Sequence, residues 1–296
     1  MEINLPEPTV TLAQFLDAYY LTGGRDHKSK ERLTWTLGYW KTHYGHHPVQ
    51  DITKRQLSQH IETRRIQGKS NSTINREISI LSASINYAIR RWGWNIQNPA
   101  AGLHLKTPEG RLRWLTRQEA NTLLDAAEQS DAPHLYDFIL IALNTGMRKT
   151  EILQLETHRI DQKEKRIHLE GTHTKNGKRR IIPLNETANA AISSRIRWNH
   201  ENGITGPRLF LQRNGKPVVQ ISTAFTNAVR KTTIQDFRLH DLRHTFASWL
   251  ISEGVTLAEL RDLLGHSSIK QTERYAHLAP GRLHKAVAIL DTMSWT

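Results

Sequence analysis

Four side chains suited to phosphate chemistry, His240, Arg243, His266 and Tyr275, fall in one stretch near the carboxyl end. His240 and Arg243 lie three apart, so on a helix they share a face. Leu264-Gly265-His266 follows a short amphipathic run in which Gly265 supplies a helix stop. Tyr275 comes nine residues after His266, among Lys270, Arg274 and His277. A phenol hydroxyl can attack phosphorus if one group takes its proton and others hold the phosphate oxygens. His240, Arg243 and His266 are of the types that can do the holding.

Other elements must complete and position such a site. Thr116 and Glu119 have capping-box spacing and open a helix through Leu123 and Leu124. Residues 135–143 are apolar nearly all round, which predicts a buried helix, and Asn144-Thr145-Gly146 breaks it. Arg148 follows at the start of the next helix, with Glu151 at i+3. That arrangement preorganises a guanidinium toward an anion; taken alone it reads first as a structural Arg148–Glu151 ion pair. Residues 166–169 and 179–184 alternate as strands around Thr174-Lys175-Asn176-Gly177-Lys178, and Asn-Gly between strands signals a hairpin. Lys175 at its tip can reach a reacting group or can simply be a solubilising turn lysine, and Lys178 competes for the same role. Residues 208–217 read as a further strand and turn, and Phe225 with Val229 as a helix. Leu242, Phe246, Trp249 and Leu250 give one later helix its buried stripe; Leu257, Leu260, Leu263 and Leu264 give the next. Residues 282–291 have an amphipathic pattern.

The first hundred residues read as helical. Thr11 caps a helix bearing Leu12, Phe15, Leu16 and Tyr19; Leu33, Leu37 and Trp40 space a second, ending near Gly45; Thr53 and Gln56 form a capping box before Leu57 and Ile61. The longest helix is predicted over 72–91, with Ile74, Ile78, Leu81, Ile85 and Ile89 on one stripe. Ser72, Thr73, Asn75 and Arg76, on its other face, suit DNA contacts, though they read equally as a capped, solvated helix end. Four such helices can bury one small core, with Arg64, Arg65, Lys69, Arg90 and Arg91 expected on the surfaces around it. His43, His46 and His47 read as a solvated loop. Asn98-Pro99-Ala100 and Lys106-Thr107-Pro108-Glu109-Gly110 break the pattern, so a boundary is expected there: one domain over 1–106, a linker to about 112, and a second domain over 113–296. The fold class expected is mainly α with a small antiparallel β-sheet (α+β).

The formal charge is +13. Residues 1–106 carry 14 Lys/Arg against 8 Asp/Glu, and 107–296 carry 27 against 20, so the excess is not one tail. A polyanionic partner, nucleic acid, is the reading that follows. The chain has no cysteine, which excludes disulfides and thiol catalysis and fits a reducing cytoplasm. No apolar run is long enough to span a bilayer, and Met-Glu-Ile-Asn-Leu-Pro is not a signal peptide, so no membrane role is expected. His240-x-x-x-His244 is not a zinc-hydrolase motif, because residue 241 is Asp and residue 243 is Arg. No cofactor and no metal is expected.

Arg148, Lys175, His240-x-x-Arg243, Leu-Gly-His266 and Tyr275, in this order, resemble the tyrosine recombinases of the phage-integrase family. The pieces that carry the resemblance are Thr145-Gly146-Met147-Arg148-x-x-Glu151, His240-Asp-Leu-Arg243-His244-Thr245, Leu264-Gly265-His266 and Arg274-Tyr275. They cover about 112–280, and residues 9–105 resemble that family's helical core-binding (SAM-like) domain more loosely. The resemblance implies that Arg148 and Arg243 are the two catalytic arginines, His240 and His266 the histidine positions, Lys175 the hairpin lysine, Tyr275 the nucleophile and Glu151 a supporting acid. It implies a site-specific recombinase or integrase that cleaves and rejoins double-stranded DNA at a core site through a 3′-phosphotyrosyl link, without metal or ATP. It further implies a homotetramer on two DNA sites. About ten residues precede the core-binding-like region, so an extra amino-terminal arm-binding domain is expected to be absent. Type IB topoisomerase activity and a non-catalytic DNA-binding regulator on the same fold are the alternatives.

Overall fold

A computed structural model describes residues 6–27, 29–108, 110–171, 179–278 and 287–292. The chain divides into two compact units, 1–110 and 111–296.

In the first unit, reciprocal capping boxes open two helices. Thr11 and Gln14 open α1 (Leu12–Leu21), and Thr53 and Gln56 open α3 (Lys54–Ile66). Between them lies α2 (Lys30–Tyr44), and α4 (Asn71–Tyr87) follows, capped by Ser70. The apolar stripes meet in one core containing Leu12, Phe15, Leu37, Trp40, Leu57, Ile74, Ile78 and Leu81. Burial of each large aliphatic chain contributes about 1.5–3 kcal/mol. The predicted long helix is shorter than expected: α-helical bonding ends at Tyr87, and a π-helical turn over Ala88–Trp92 stops at Gly93, whose φ is +73°.

Arg64 corrects a second expectation. It is not on the surface but 5% exposed, where it grips the equally buried Glu77. Arg64 Nε donates to Glu77 Oε2 at 2.9 Å and Nη2 to Oε1 at 2.5 Å. The guanidinium also lies 4.5 Å from the Tyr39 ring centroid. Glu77 falls on the α4 stripe beside Ile78, so helical phase could have flagged a buried carboxylate, but not its partner on α3. Burial holds the nearby His60 down to about 4, so it stays neutral beside this pair.

Asn71 and Asn75 brace the segment that leaves this unit. Asn75 Nδ2 donates to the Leu105 carbonyl at 2.8 Å and its Oδ1 accepts from Leu105 N–H at 2.7 Å; Asn71 donates to the Lys106 carbonyl. Asn75 is therefore committed to its own chain. Ser72 and Arg76 are exposed, and Thr73 is half-buried and bonded to the Ser70 cap.

In the second unit α5 (Arg117–Glu128) starts at the Thr116/Glu119 capping box. The buried α6 (Leu135–Thr145) packs against α5, α8 (Glu186–Glu201) and α10 (Asp241–Ser252). A short α7 (Lys149–Leu153) leads into an antiparallel sheet of β1 (Ile160–Asp161), β2 (Arg166–Leu169) and β3 (Arg180–Pro183), in that order. Ile167 faces Ile182, and Leu169 faces Arg180. Residues 172–178, with Lys175 and Lys178, lie outside the described residues. The strand expected over 208–217 does not form: Leu209, Phe210 and Leu211 are buried in succession, and the segment shows only the isolated bridges Glu156–Arg208 and Leu211–Pro217 in place of a ladder. Consecutive burial is not strand alternation, and Pro217 has no N–H to extend a ladder. The chain continues through α9 (Ser222–Arg230), α10, α11 (Leu257–Leu264) and α12 (Lys270–Glu273). Of the 282–291 tail, 282–286 lie outside the described residues. No helix among the described residues is long and apolar enough to cross a membrane.

The Arg64–Glu77 pair generates a stability prediction. Glu77→Ala leaves a buried guanidinium without its counter-charge and is expected to cost about 3–5 kcal/mol in urea unfolding of the full chain. A loss under about 1 kcal/mol contradicts this role for the pair.

Candidate active site

Two helices end in glycines beside one guanidinium, that of Arg243. Gly146 closes α6 and Gly265 closes α11, both left-handed with φ +62°. Neither position tolerates a side chain: a Cβ at Gly146 would lie 2.4 Å from Phe246 Cδ1, and one at Gly265 would lie 2.2 Å from Arg180 Nη1. Each helix end presents unsatisfied carbonyls and the negative end of its dipole. Arg243, 4% exposed on the first turn of α10, bridges them. Its Nη1 donates to the Gly146 carbonyl and its Nη2 to the Leu264 carbonyl, both at 2.7 Å. Two of five N–H donors are used, so the fork is aimed while capacity for an anion remains.

Arg148 immediately precedes α7. Its backbone N–H donates to Glu151 Oε2 at 2.9 Å and its Nη1 to Oε1 at 2.7 Å. Glu151 is 2% exposed. A second arginine, Arg180 from β3, donates to Glu151 Oε2 at 3.0 Å and also bonds the Leu264 carbonyl. Two guanidiniums thus bond one carboxylate, and the third, Arg243, feels its charge without bonding it. Burial, then Arg148 and Arg180, push Arg243 down to about 9, which still leaves it charged at neutral pH. The net positive charge makes this a pocket for an anion.

The histidines add neutral polar groups. His240 is the residue before α10, and its ring meets that of His244 edge-on at 5.1 Å. His266 follows Gly265 and bonds Thr272 Oγ1 through Nδ1 at 2.9 Å. Burial, with Arg243 next, lowers His240 and holds His266 down to about 4. Burial, with Arg274 next, holds His244 at about 3.

Tyr275 lies just past α12, 1% exposed, packed with Phe246, Ala247, Leu260 and Leu264. Its hydroxyl is 2.5 Å from Nδ1 of His244, not bonded to His240. Burial raises the phenol to about 12 against the lowering pull of Arg274 and Arg243. Asp241 accepts from the Arg238 N–H at 2.8 Å and from the Arg111 guanidinium, and Arg274 donates to the Arg111 carbonyl at 3.1 Å. The segment at 111 thereby ties the start of α10 to the residue before Tyr275.

The fold gathers Arg148, Glu151, Arg243 and His266 by direct bonds or a shared charge environment, with His240 and Tyr275 joined through His244. Sequence reasoning passed over His244 and Arg180 as members of this set. His244 sits at i+4 from His240 and so on the same helical face, a signal that was legible. Arg180 shares the inward face of β3 with Ile182, which strand alternation announces, but its partners lie 29 and 84 residues away.

The low histidine values set a pH window. In the unfolded chain each titrates near 6.5, whereas the folded pocket holds His244 at about 3 and His266 at about 4. Below 6.5 the unfolded chain takes up protons that the fold refuses. Stability present above that pH is lost as pH falls toward 4, at up to about 1.4 kcal/mol per unit for each histidine. His244→Gln should make the fall between pH 7 and 4.5 shallower in urea titrations; an unchanged slope contradicts the assignment.

Comparison with known proteins shows the family. Residues 113–282 match the phage integrase family, and residues 9–106 match the phage integrase N-terminal domain. The integrase of Salmonella phage P22 is 28% identical over 294 residues, covering 88% of this chain and 74% of that protein. The integrase of Escherichia phage 186 is 30% identical over 240 residues, covering 80% of this chain and 65% of its own length. Among solved structures, the Tn1549 transposon integrase in complex with transposon right end DNA superposes with a TM-score of 0.80 at 22% identity, covering 96% of this chain and 100% of that one. A lambda integrase tetramer bound to a Holliday junction gives 0.74 at 21% identity, covering 90% and 77%. The chain belongs to the phage integrase family, the site-specific tyrosine recombinases that act on DNA.

Proposed function

We propose that the protein cleaves and rejoins double-stranded DNA at a core site through a covalent bond between Tyr275 and a 3′-phosphate. The observation that carries this reading is the convergence of Arg148 and Arg243, each anchored by its own chain, on one pocket of net positive charge. A phosphodiester is anionic and resists attack. Two guanidiniums gripping its non-bridging oxygens neutralise the charge that builds as the tyrosine oxygen approaches. His266, steadied by Thr272, donates to a phosphate oxygen. His240 takes the phenol proton, and Lys175 gives one to the departing 5′-oxygen. The phosphotyrosyl bond conserves the energy of the broken one, so a 5′-hydroxyl from a partner duplex can reseal it without ATP. Four protomers on two DNA sites carry out the exchange, in the cytoplasm at the nucleoid. Arg76 and Ser72, exposed at the start of α4, are offered as DNA contacts.

The tyrosine's present position bears on how the reaction starts. A phenol that is 1% exposed, raised to about 12 and bonded to His244 is a poor nucleophile. On this reading DNA engagement must free the hydroxyl from His244 and bring it in line with the phosphate, where His240 can serve it. The raised value also means that stability carried by the neutral phenol persists below pH 10 and is lost as pH rises toward 12.

Tyr275→Phe is expected to abolish the covalent adduct on a nicked suicide substrate while leaving site binding within about threefold, since only one hydroxyl is removed. An adduct that persists in this variant removes Tyr275 from the role. Lys175→Ala should slow cleavage of an ordinary 5′-oxygen leaving group by about 10²–10⁴-fold and recover with a 5′-phosphorothiolate, which needs no proton. Absence of recovery assigns the proton to Lys178 or to another group.

A further inference from the structure

We infer that Arg180 is a positioning residue that fixes the distance between the two phosphate-gripping arginines. The inference rests on the reading of Arg148 and Arg243 as that grip. Arg180 is one bond from the partner of each. Its Nη2 donates to the same Glu151 carboxylate that orients Arg148, and its Nη1 to the same Leu264 carbonyl that anchors Arg243. Glu151 belongs to α7 and Leu264 to the end of α11, two elements that otherwise hold the arginines independently. The guanidinium of Arg180 turns these two anchors into one frame.

Further features fit this role. The side chain is only 8% exposed, so it is not placed there to meet solvent. Its Nε is buried without a hydrogen-bond partner, and a charged group with an orphan donor is a costly occupant that a well-packed apolar chain would undercut on stability alone. The turn that carries His266 packs closely on this side chain: a Cβ at Gly265 would lie 2.2 Å from Arg180 Nη1 and 2.9 Å from its Cδ. The two bonds also diverge, to a carboxylate and to a backbone carbonyl, which a planar fork satisfies at once and a single ammonium does not.

A positioning residue acts through others, and a double-mutant cycle reads that. Arg180→Met and Arg148→Ala are introduced singly and together into the full chain, and covalent adduct formation on a nicked suicide substrate is timed beside site binding. Arg180→Met is expected to bind within about threefold of the unaltered protein yet form adduct about 30- to 100-fold more slowly, less than the 10²- to 10³-fold typical of losing a donor that touches the reacting oxygen. The double variant is expected to be no more than about threefold slower than Arg148→Ala alone, because the frame has nothing left to position on that side. Arg180→Lys is expected to recover less than about tenfold of the loss, since one contact cannot replace two. Adduct formation by Arg180→Met at the unaltered rate overturns the inference. So does a double variant that shows the full product of the two single losses, which marks a structural contribution independent of Arg148. If Arg180→Met fails to fold, Arg180→Lys enters the same cycle. An Arg148→Ala variant as fast as the unaltered protein instead sinks the phosphate-grip reading, and this inference with it.

Discussion

Glu151 is bonded to Arg148 at 2.7 Å and to Arg180 at 3.0 Å, and the electrostatics of the pocket follow from that one buried carboxylate. Alone it cannot neutralise three guanidiniums. The remainder is balanced by the carbonyl ends of α6 and α11, which take Arg243 at Gly146 and Leu264. Partial charges at helix ends hold a cation in place without cancelling it. The pocket therefore stays short of negative charge, which on the proposed reading a phosphodiester supplies. The two αL glycines are what allow those carbonyls to approach Arg243 from opposite sides.

Burial first, and then the same excess of positive charge, shifts the other titrating groups. Buried histidines beside arginines stay neutral, so His240, His244 and His266 present imidazoles that can accept or donate a proton rather than imidazoliums that repel the guanidiniums. The tyrosine is pulled two ways: burial raises it, while Arg274 and Arg243 lower it. Moving the hydroxyl out of its apolar neighbourhood removes the first effect and can keep the second. On this account, activation is a change of burial more than a change of charge.

Much of this was legible in the sequence because it is local. Capping boxes at Thr11, Thr53 and Thr116 set helix starts, and Gly146 and Gly265 set helix ends, since each rests on contacts within one turn. The mainly α fold with a small antiparallel sheet followed from the same local signals. What stayed hidden was long-range pairing. Arg64 read as a surface residue because nothing near it announces Glu77, and residues 208–217 read as a strand because their composition does not reveal that three successive side chains are buried. Arg148 and Arg243 were found through motif order, and Glu151 beside Arg148 at i+3, whereas the carbonyls of Gly146 and Leu264 that aim Arg243 lie 97 and 21 residues from it. Residue types gave the chemistry, and the fold gave the reason it is concentrated at one point.

The central claim is that charge neutralisation by Arg148 and Arg243 drives strand cleavage. It is tested most directly with a suicide substrate whose scissile phosphate carries a methyl group in place of one non-bridging oxygen, which makes the centre neutral. Arg148→Ala and Arg243→Ala should each lose adduct formation by about 10²–10³-fold on the natural phosphate and regain most of it on the neutral one. Variants that are equally impaired on both substrates, or unimpaired on the natural one, contradict the account.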